Sequence, residues 1–542
     1  MSDHDYRGAL IAYLNSSLGQ RVEFEVLDRF KLKGLLIDCS DSRINLSDVT
    51  LESSDQLLSF PTYTLDINLV SRFSATRSVP FLHGFRKITP VNGFDTADLD
   101  NAKQNNYAWS MAELGDYIYV GTARNIPYSI LSSGLLGDIP VPAALTPETV
   151  DYAGEIWRYK KDGSIKLWER VYKAPALPMN IGFRYMIQYN GALYAGALTP
   201  LSPDLLILKS VDGVNWTPLA SNIQGFSTRA MVEHQGRLYM GALPLTGVAE
   251  AQLFTSINPQ LGWEKVDLTG DPTRNPQGNI DLLLSYNDHL YVATARPTGF
   301  ELWRTNGLLP LKDDWTLVVD KGAGDARNEH PWSLGVFNDH IYIGTAIEIG
   351  IKSINPDDPI VAPKGFDLIR VDQADHWELL VGGIPVIPTE PTTGKRGLPL
   401  SGYPSGFGDI SNGYCWQIQA FDDKLYLGTW SWNNLIPQII SIIPDLIKEL
   451  LPASSPGNFV HFLRLLFSPL LINSLYVVGY GTLGFDLWET RDGIRWTPAS
   501  LNGLGNPYNY GVRILFVSSE QKLYLGTANP FQGCEVWVKP IP

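Results

Sequence analysis

The chain has 542 residues, 44% of them hydrophobic and 18% charged, a balance that excludes wholesale disorder. With 42 basic and 56 acidic side chains the net charge is −14 at neutral pH, the opposite of a nucleic-acid binder's basic footprint. A chain this long is too large for one ordinary domain unless it is a repeat array, and an aromatic content of 11% leans towards β structure.

Taken from its start, MSDHDYRGALIAYLNSSLG is acidic and has no apolar core flanked by basic residues, so it is not a Sec signal. Residues 7–19 predict a short amphipathic helix with Leu10, Ile11 and Leu14 on one face. Strand-like runs follow at RVEFEVLD, KLKGLLIDC, RINLSDVTL and TYTLDINLVSRF. A helix followed by about five strands within residues 1–76 resembles an Sm-like small barrel. The match is carried by Gly34, by Asp41-x-x-x-Asn45-Leu46 and by Val70-Ser71 in a closing strand. The resemblance implies ring or dimer formation through edge strands, and Asp41 and Asn45 as the loop that holds an RNA base in RNA-binding members. The chain departs from the family by one extra residue between Gly34 and Asp41 and by lacking the Arg-Gly pair that completes the RNA pocket. Residues 1–76 also hold 11 acidic and 7 basic side chains, a net of −4. Self-association is the expected use of this barrel, and nucleic acid is not the expected partner.

Along residues 105–542 one strand phrase recurs: YIYVGT (117–122), LYAGA (193–197), LYMGA (238–242), LYVAT (290–294), IYIGT (341–345), LYLGT (425–429) and LYLGT (523–527). Apolar and small residues alternate there, as in a strand buried on both faces. A second phrase follows each copy: GEIWRY, DLLILKS, QLFTS, GFELWRT, GFDLIRV, GFDLWET and GCEVWV. A third turns and ends on Trp, as in DGSIKLW (162–168), SVDGVNW (210–216) and TRDGIRW (490–496). The Asp-Gly pair there is a hairpin signal, because Gly takes the positive φ such turns need. Each copy is preceded by a further strand, such as YAWSMAEL (107–114). Seven four-stranded antiparallel units with no helix between them predict an all-β, seven-bladed β-propeller over residues 77–542. SVDGVNW and TRDGIRW resemble the Asp-box repeat of sialidase-type propellers. The last copy ends after its third strand, and FRKITPVNGF (85–94) aligns with IRWTPASLNGL (494–504). Residues 85–91 are therefore expected to supply its fourth strand and remove an open sheet edge.

Ten residues before the recurrent Tyr of six copies stand Trp109, Arg184, Arg229, Asp281, Trp332 and Trp416. The seventh copy, with a turn longer by one residue, gives Arg513. This register begins the innermost strand, so these seven side chains are candidates for the lining of a central channel. Wedging between blades and ion pairing across the mouth is one use of them. The other is ligand binding, with Arg clamping a carboxylate or phosphate and Trp stacking a ring or sugar.

The sixth copy is interrupted by an apolar segment, about 430–480, that predicts a helical hairpin. Ile436, Ile439, Ile440, Ile443 and Ile447 recur at helical spacing, and PASSPGN (452–458) separates them from a second apolar stretch containing Phe459, Phe462 and Phe467. With Trp430 and Trp432 beside it, this hairpin either folds onto the propeller or docks a partner. A protein partner is expected over a membrane surface, because cationic residues are scarce here.

The three cysteines, Cys39, Cys415 and Cys534, form no metal-type pair or disulfide framework, and no run of about 20 apolar residues exists to span a bilayer. No cofactor or metal is expected, and the cytoplasm is the expected location. The leading expectation is a non-catalytic binding and assembly scaffold. The rival is a glycan-binding or sialidase-like propeller enzyme built on the central Arg/Trp/Asp ring, and an RNA-binding Sm-like protein comes third.

Overall fold

The computed structural model describes residues 21–26, 30–39, 43–52, 57–66, 70–75, 84–132, 146, 149–176, 179–199, 204–219, 221–244, 252–347, 364–434 and 483–541. The fold is predominantly β and all its sheets are antiparallel. The N-terminal helix predicted at 7–19, Asp41 and the apolar residues of 436–472 lie outside the described residues.

The N-terminal sheet comprises β1 (Arg21–Val26), β2 (Phe30–Cys39), β3 (Arg43–Glu52), β4 (Leu57–Asp66) and β5 (Val70–Ala75). Its order is β4-β3-β2-β1-β5, which leaves β4 and β5 at the edges. Asn45 lies on β3 opposite Asp38 of β2.

Among the described residues, seven four-stranded antiparallel sheets follow. Sheet 1 is formed by Asn105–Leu114, Tyr117–Arg124, Glu155–Lys160 and Glu169–Lys173. Sheet 2 runs from Gly182–Tyr189 to Thr217–Leu219, sheet 3 from Phe226–His234 to Glu264–Lys265, and sheet 4 from Asn279–Tyr286 to Trp315–Val319. Sheet 5 runs from His330–Phe337 to Trp377–Val381 and sheet 6 from Asn412–Phe421 to Thr497–Ser500. Sheet 7 takes three strands from the C-terminus, Gly511–Val517, Lys522–Ala528 and Val536–Pro540. Its fourth strand is Arg86–Lys87, with Val538 opposite Arg86 and Trp537 opposite Lys87.

Local chemistry explains the meander. In sheets 2 to 6 the turn between first and second strands is Asn190-Gly191, Gln235-Gly236, Asn287-Asp288, Asn338-Asp339 and Asp422-Asp423, and both residues of each have positive φ. That backbone matches the twist of a two-residue hairpin and favours Gly, Asn and Asp. The Asp-Gly turns between third and fourth strands close differently. Asp212 accepts hydrogen bonds from the Val214 and Asn215 amides, and Asp492 from those of Ile494 and Arg495. The acid-x-Trp element of the third strand also has a physical reason: the indoles of Trp157, Trp303 and Trp537 donate to Glu155, Glu301 and Glu535. The Gly of the second strand leaves room for the next sheet, since a Cβ on Gly428 would lie 2.3 Å from Val512 Cβ.

The hydrophobic core is divided: seven parts lie between successive sheets, and a further aromatic cluster joins residues of sheets 1, 6 and 7. Met186 and Leu193 of sheet 2 pack with Tyr119 and Ile156 of sheet 1, and Ile280 and Val292 of sheet 4 with Tyr239 and Leu253 of sheet 3. Sheets 2 and 3, 4 and 5, 5 and 6, and 6 and 7 share cores in the same way. Tyr524 and Val536 of sheet 7 then pack with Val120 and Trp157 of sheet 1. A backbone bridge, Ala528 to Tyr107, joins those two sheets as well.

Candidate functional site

Each first strand carries a β-bulge against its second strand, and the residue left out of the pairing is Trp109, Arg184, Arg229, Asp281, Trp332, Trp416 or Arg513. A bulge residue escapes the pleat and its side chain is re-aimed. Here all seven line a single cavity of about 490 Å³, continued along the strands by Met111, Met186, Leu334 and Leu515. This size suits a small molecule.

The ring has two unlike sides. On one, Arg229 Nε donates to Asp281 Oδ1 at 3.1 Å, and its guanidinium lies 4.4 Å over the Trp332 ring. His330 Nδ1 sits 3.0 Å from Asp281 Oδ2. Burial opposes ionisation of Asp281, which is 3% exposed, but Arg229 and His330 outweigh it and hold the carboxyl below its usual range. On the other side Arg184 and Arg513 flank Trp109, their guanidiniums 5.5 and 5.9 Å from its ring, and Arg513 also lies 5.2 Å from Trp416. Neither has a hydrogen-bond or ion-pair partner among the described residues, and both Nε atoms are buried, as is the unpartnered Trp416 Nε1. Burial and the charge of Arg229 lower Arg513 to about 9. Burial, then Arg229 and Arg513, push Arg184 well down, with Asp281 opposing. Arginine's basicity keeps guanidiniums charged at neutral pH, so both carry a charge that Arg229 repels and no carboxylate pairs with among the described residues.

An aromatic cluster from sheets 1, 5, 6 and 7 packs behind the ring's tryptophans, outside the lining of the cavity. Tyr107 packs edge-on to Trp416 at 5.7 Å, Tyr414 lies 5.1 Å from Trp332, and the hydroxyls of Tyr107 and Tyr510 hydrogen-bond. Burial pushes the Tyr107 hydroxyl up to about 12. Trp430 is half-buried here, stacked 4.3 Å from Tyr414, and Trp432 is also half-buried. Counting a single register from the Tyr of the second strands misses His330, Tyr107 and Tyr414. They stand two residues before Trp332, Trp109 and Trp416, a spacing that a period-two reading of the same strands contains.

Among the described residues no group of three or more His, Cys, Asp and Glu is placed to hold a metal ion, and no helix is long and apolar enough to cross a membrane. Compared with known families and characterised proteins, the chain matches no family model and none of the characterised proteins significantly.

Proposed function

We propose that residues 77–542 form a seven-bladed β-propeller behind an Sm-like barrel, and that the chain is a non-catalytic binding and assembly protein that takes a ligand in the propeller's central cavity. The seven cores between successive sheets, the last between sheets 7 and 1, support the propeller. The convergence of seven bulge residues on one cavity carries the binding reading. Polar groups that remain unsatisfied in a folded protein cost stability, and binding sites are where such costs are tolerated.

The scaffold role adds two contacts: docking of a protein partner through the apolar 430–480 segment, and self-association through the barrel, whose edge strand β4 is 10 residues long. A membrane surface is a weaker candidate for the first contact, and RNA at Asp41 and Asn45 for the second. Light-scattering mass measurement of the full chain and of residues 77–542 tests the barrel's part. The full chain is expected to be a multimer and the shorter chain a monomer; two monomers would remove it. For the cavity, native mass spectrometry of the protein purified from its own source is expected to find a small molecule that Trp332→Ala loses. A ligand retained equally by that variant places binding elsewhere.

A glycan-acting enzyme is the second reading, favoured by three arginines and one acid in a single cavity. It is weakened by the state of the acid: Asp281, paired to Arg229 and His330, holds no proton to give near neutral pH.

A further inference from the structure

The three arginines of the cavity are not equivalent. Arg229 is spent on Asp281, and the same carboxylate faces His330. Arg184 and Arg513 come from different sheets, approach the same indole, and have no anion between them among the described residues. Two half-buried guanidiniums on the wall of one cavity, each with a buried and unpartnered Nε, are costly to leave without an anion. A planar fork of donors matches an oxyanion, and the flanking indoles offer faces on which a ring can stack.

We infer that the cavity binds a small ring-bearing oxyanion, its carboxylate or phosphate held between Arg184 and Arg513 beside Trp109. The inference rests on the reading of the cavity as a ligand site and adds the chemistry of the occupant. Asp281 marks the opposite side of the cavity as the place for hydroxyl or amide groups of the same molecule, since it accepts hydrogen bonds and repels a second anion.

The test is a titration of the full-length protein with glucuronate, glucose 6-phosphate, inorganic phosphate and glucose, followed by tryptophan fluorescence and calorimetry. Glucuronate or glucose 6-phosphate is expected to change the emission of the cavity tryptophans, the stronger of the two identifying the anion as carboxylate or phosphate. Inorganic phosphate should compete. Glucose should bind at least tenfold more weakly, because it lacks the charge-assisted contacts. Arg184→Gln and Arg513→Gln should each weaken binding about tenfold or more, whereas Arg495→Gln, outside the cavity and 92% exposed, should not. Without ligand, the two cavity variants should melt at the wild-type temperature or a few degrees above it, because like-charge repulsion is relieved. A purely structural role predicts lower melting instead, and that result overturns the inference. As a second pair, Arg184→Lys and Arg513→Lys keep the charge and are expected to fold like the wild type and to bind weakly through loss of the fork. Equal affinity for glucose and glucuronate would overturn the anion while leaving the cavity as the ligand site. No response to any of the anions at millimolar concentration would also overturn it.

Discussion

Asp367→Asn is expected to destabilise the protein by about 3–5 kcal/mol, the cost of leaving buried charges without their partner. Asp367 is fully buried and accepts from Lys364 Nζ and Arg396 Nη2, both at 2.8 Å, from Asn328 Nδ2 at 2.9 Å and from Ser405 Oγ at 2.6 Å. Lys364 also reaches Asp325 Oδ2 at 2.8 Å, and Asp325 accepts the amides of Val386 and Ile387. One ionic knot thus ties together the segments around Asp325, Lys364 and Arg396. The asparagine keeps the shape and removes the charge, so two buried cations remain with Asp325 alone. Burial opposes ionisation of Asp367, but Lys364 and Arg396 outweigh it and hold its carboxyl well below the usual carboxylate range. Stability from this group is therefore present above about pH 4, and is lost as pH falls through the lower folded-state value. Urea unfolding of both proteins across pH checks the sign: the difference should be largest at neutral pH and shrink in acid.

The second large effect belongs to the segment that ends the last sheet. Gly93→Ala is expected to cost roughly 2–5 kcal/mol, the sum of a left-handed backbone and an overpacked contact. Gly93 has φ +76°, and a Cβ there would lie 1.7 Å from the carbonyl oxygen of Ala102, which is backbone and has little room to move. The segment it anchors is held across the termini. Gly93 N donates to Cys534 O at 2.7 Å, and Trp168 Nε1 donates to Ile88 O at 2.9 Å. Gly236→Ala serves as the control, with φ +70° but no atom within 4 Å of the added Cβ. It should lose only the conformational part, about 1–2 kcal/mol. Equal losses in thermal melts of the two variants would mean that the close approach at Gly93 does not exist.

Much of this architecture is legible in the residues because one physical constraint is repeated. A strand packed on both faces needs alternating apolar and small side chains, and its hairpin needs residues that accept positive φ. Both leave periodic marks such as LYLGT and Asn-Asp. The register that selects Trp109, Arg184 and their equivalents works because every first strand places its bulge at the same distance from the hairpin. The longer turn before Lys522 shifts the seventh copy by one residue, and counting allows for it. The fourth strand of sheet 7 is shorter than 85–91, spanning only Arg86–Lys87, after which Thr89 Oγ1 accepts from the Val536 amide. The pairing of Arg229 with Asp281 and the isolation of Arg184 and Arg513 leave no mark in sequence. They depend on which sheets face each other across the cavity, and residues 52 positions apart meet there while others equally charged do not.

The central claim is that the chain closes on itself, for without closure between sheets 7 and 1 there is no central cavity to bind anything. Arg86 and Val538 are opposite one another in the last strand pair, and such Cα atoms lie about 4.5–5.5 Å apart, within the reach of a disulfide. Oxidation of an Arg86→Cys, Val538→Cys double variant, followed by peptide mapping under non-reducing conditions, tests this directly. A disulfide between positions 86 and 538 within one chain, formed without loss of the native circular dichroism, is the expected result. Failure of the two to cross-link, or a disulfide formed only between chains, would contradict the closed ring.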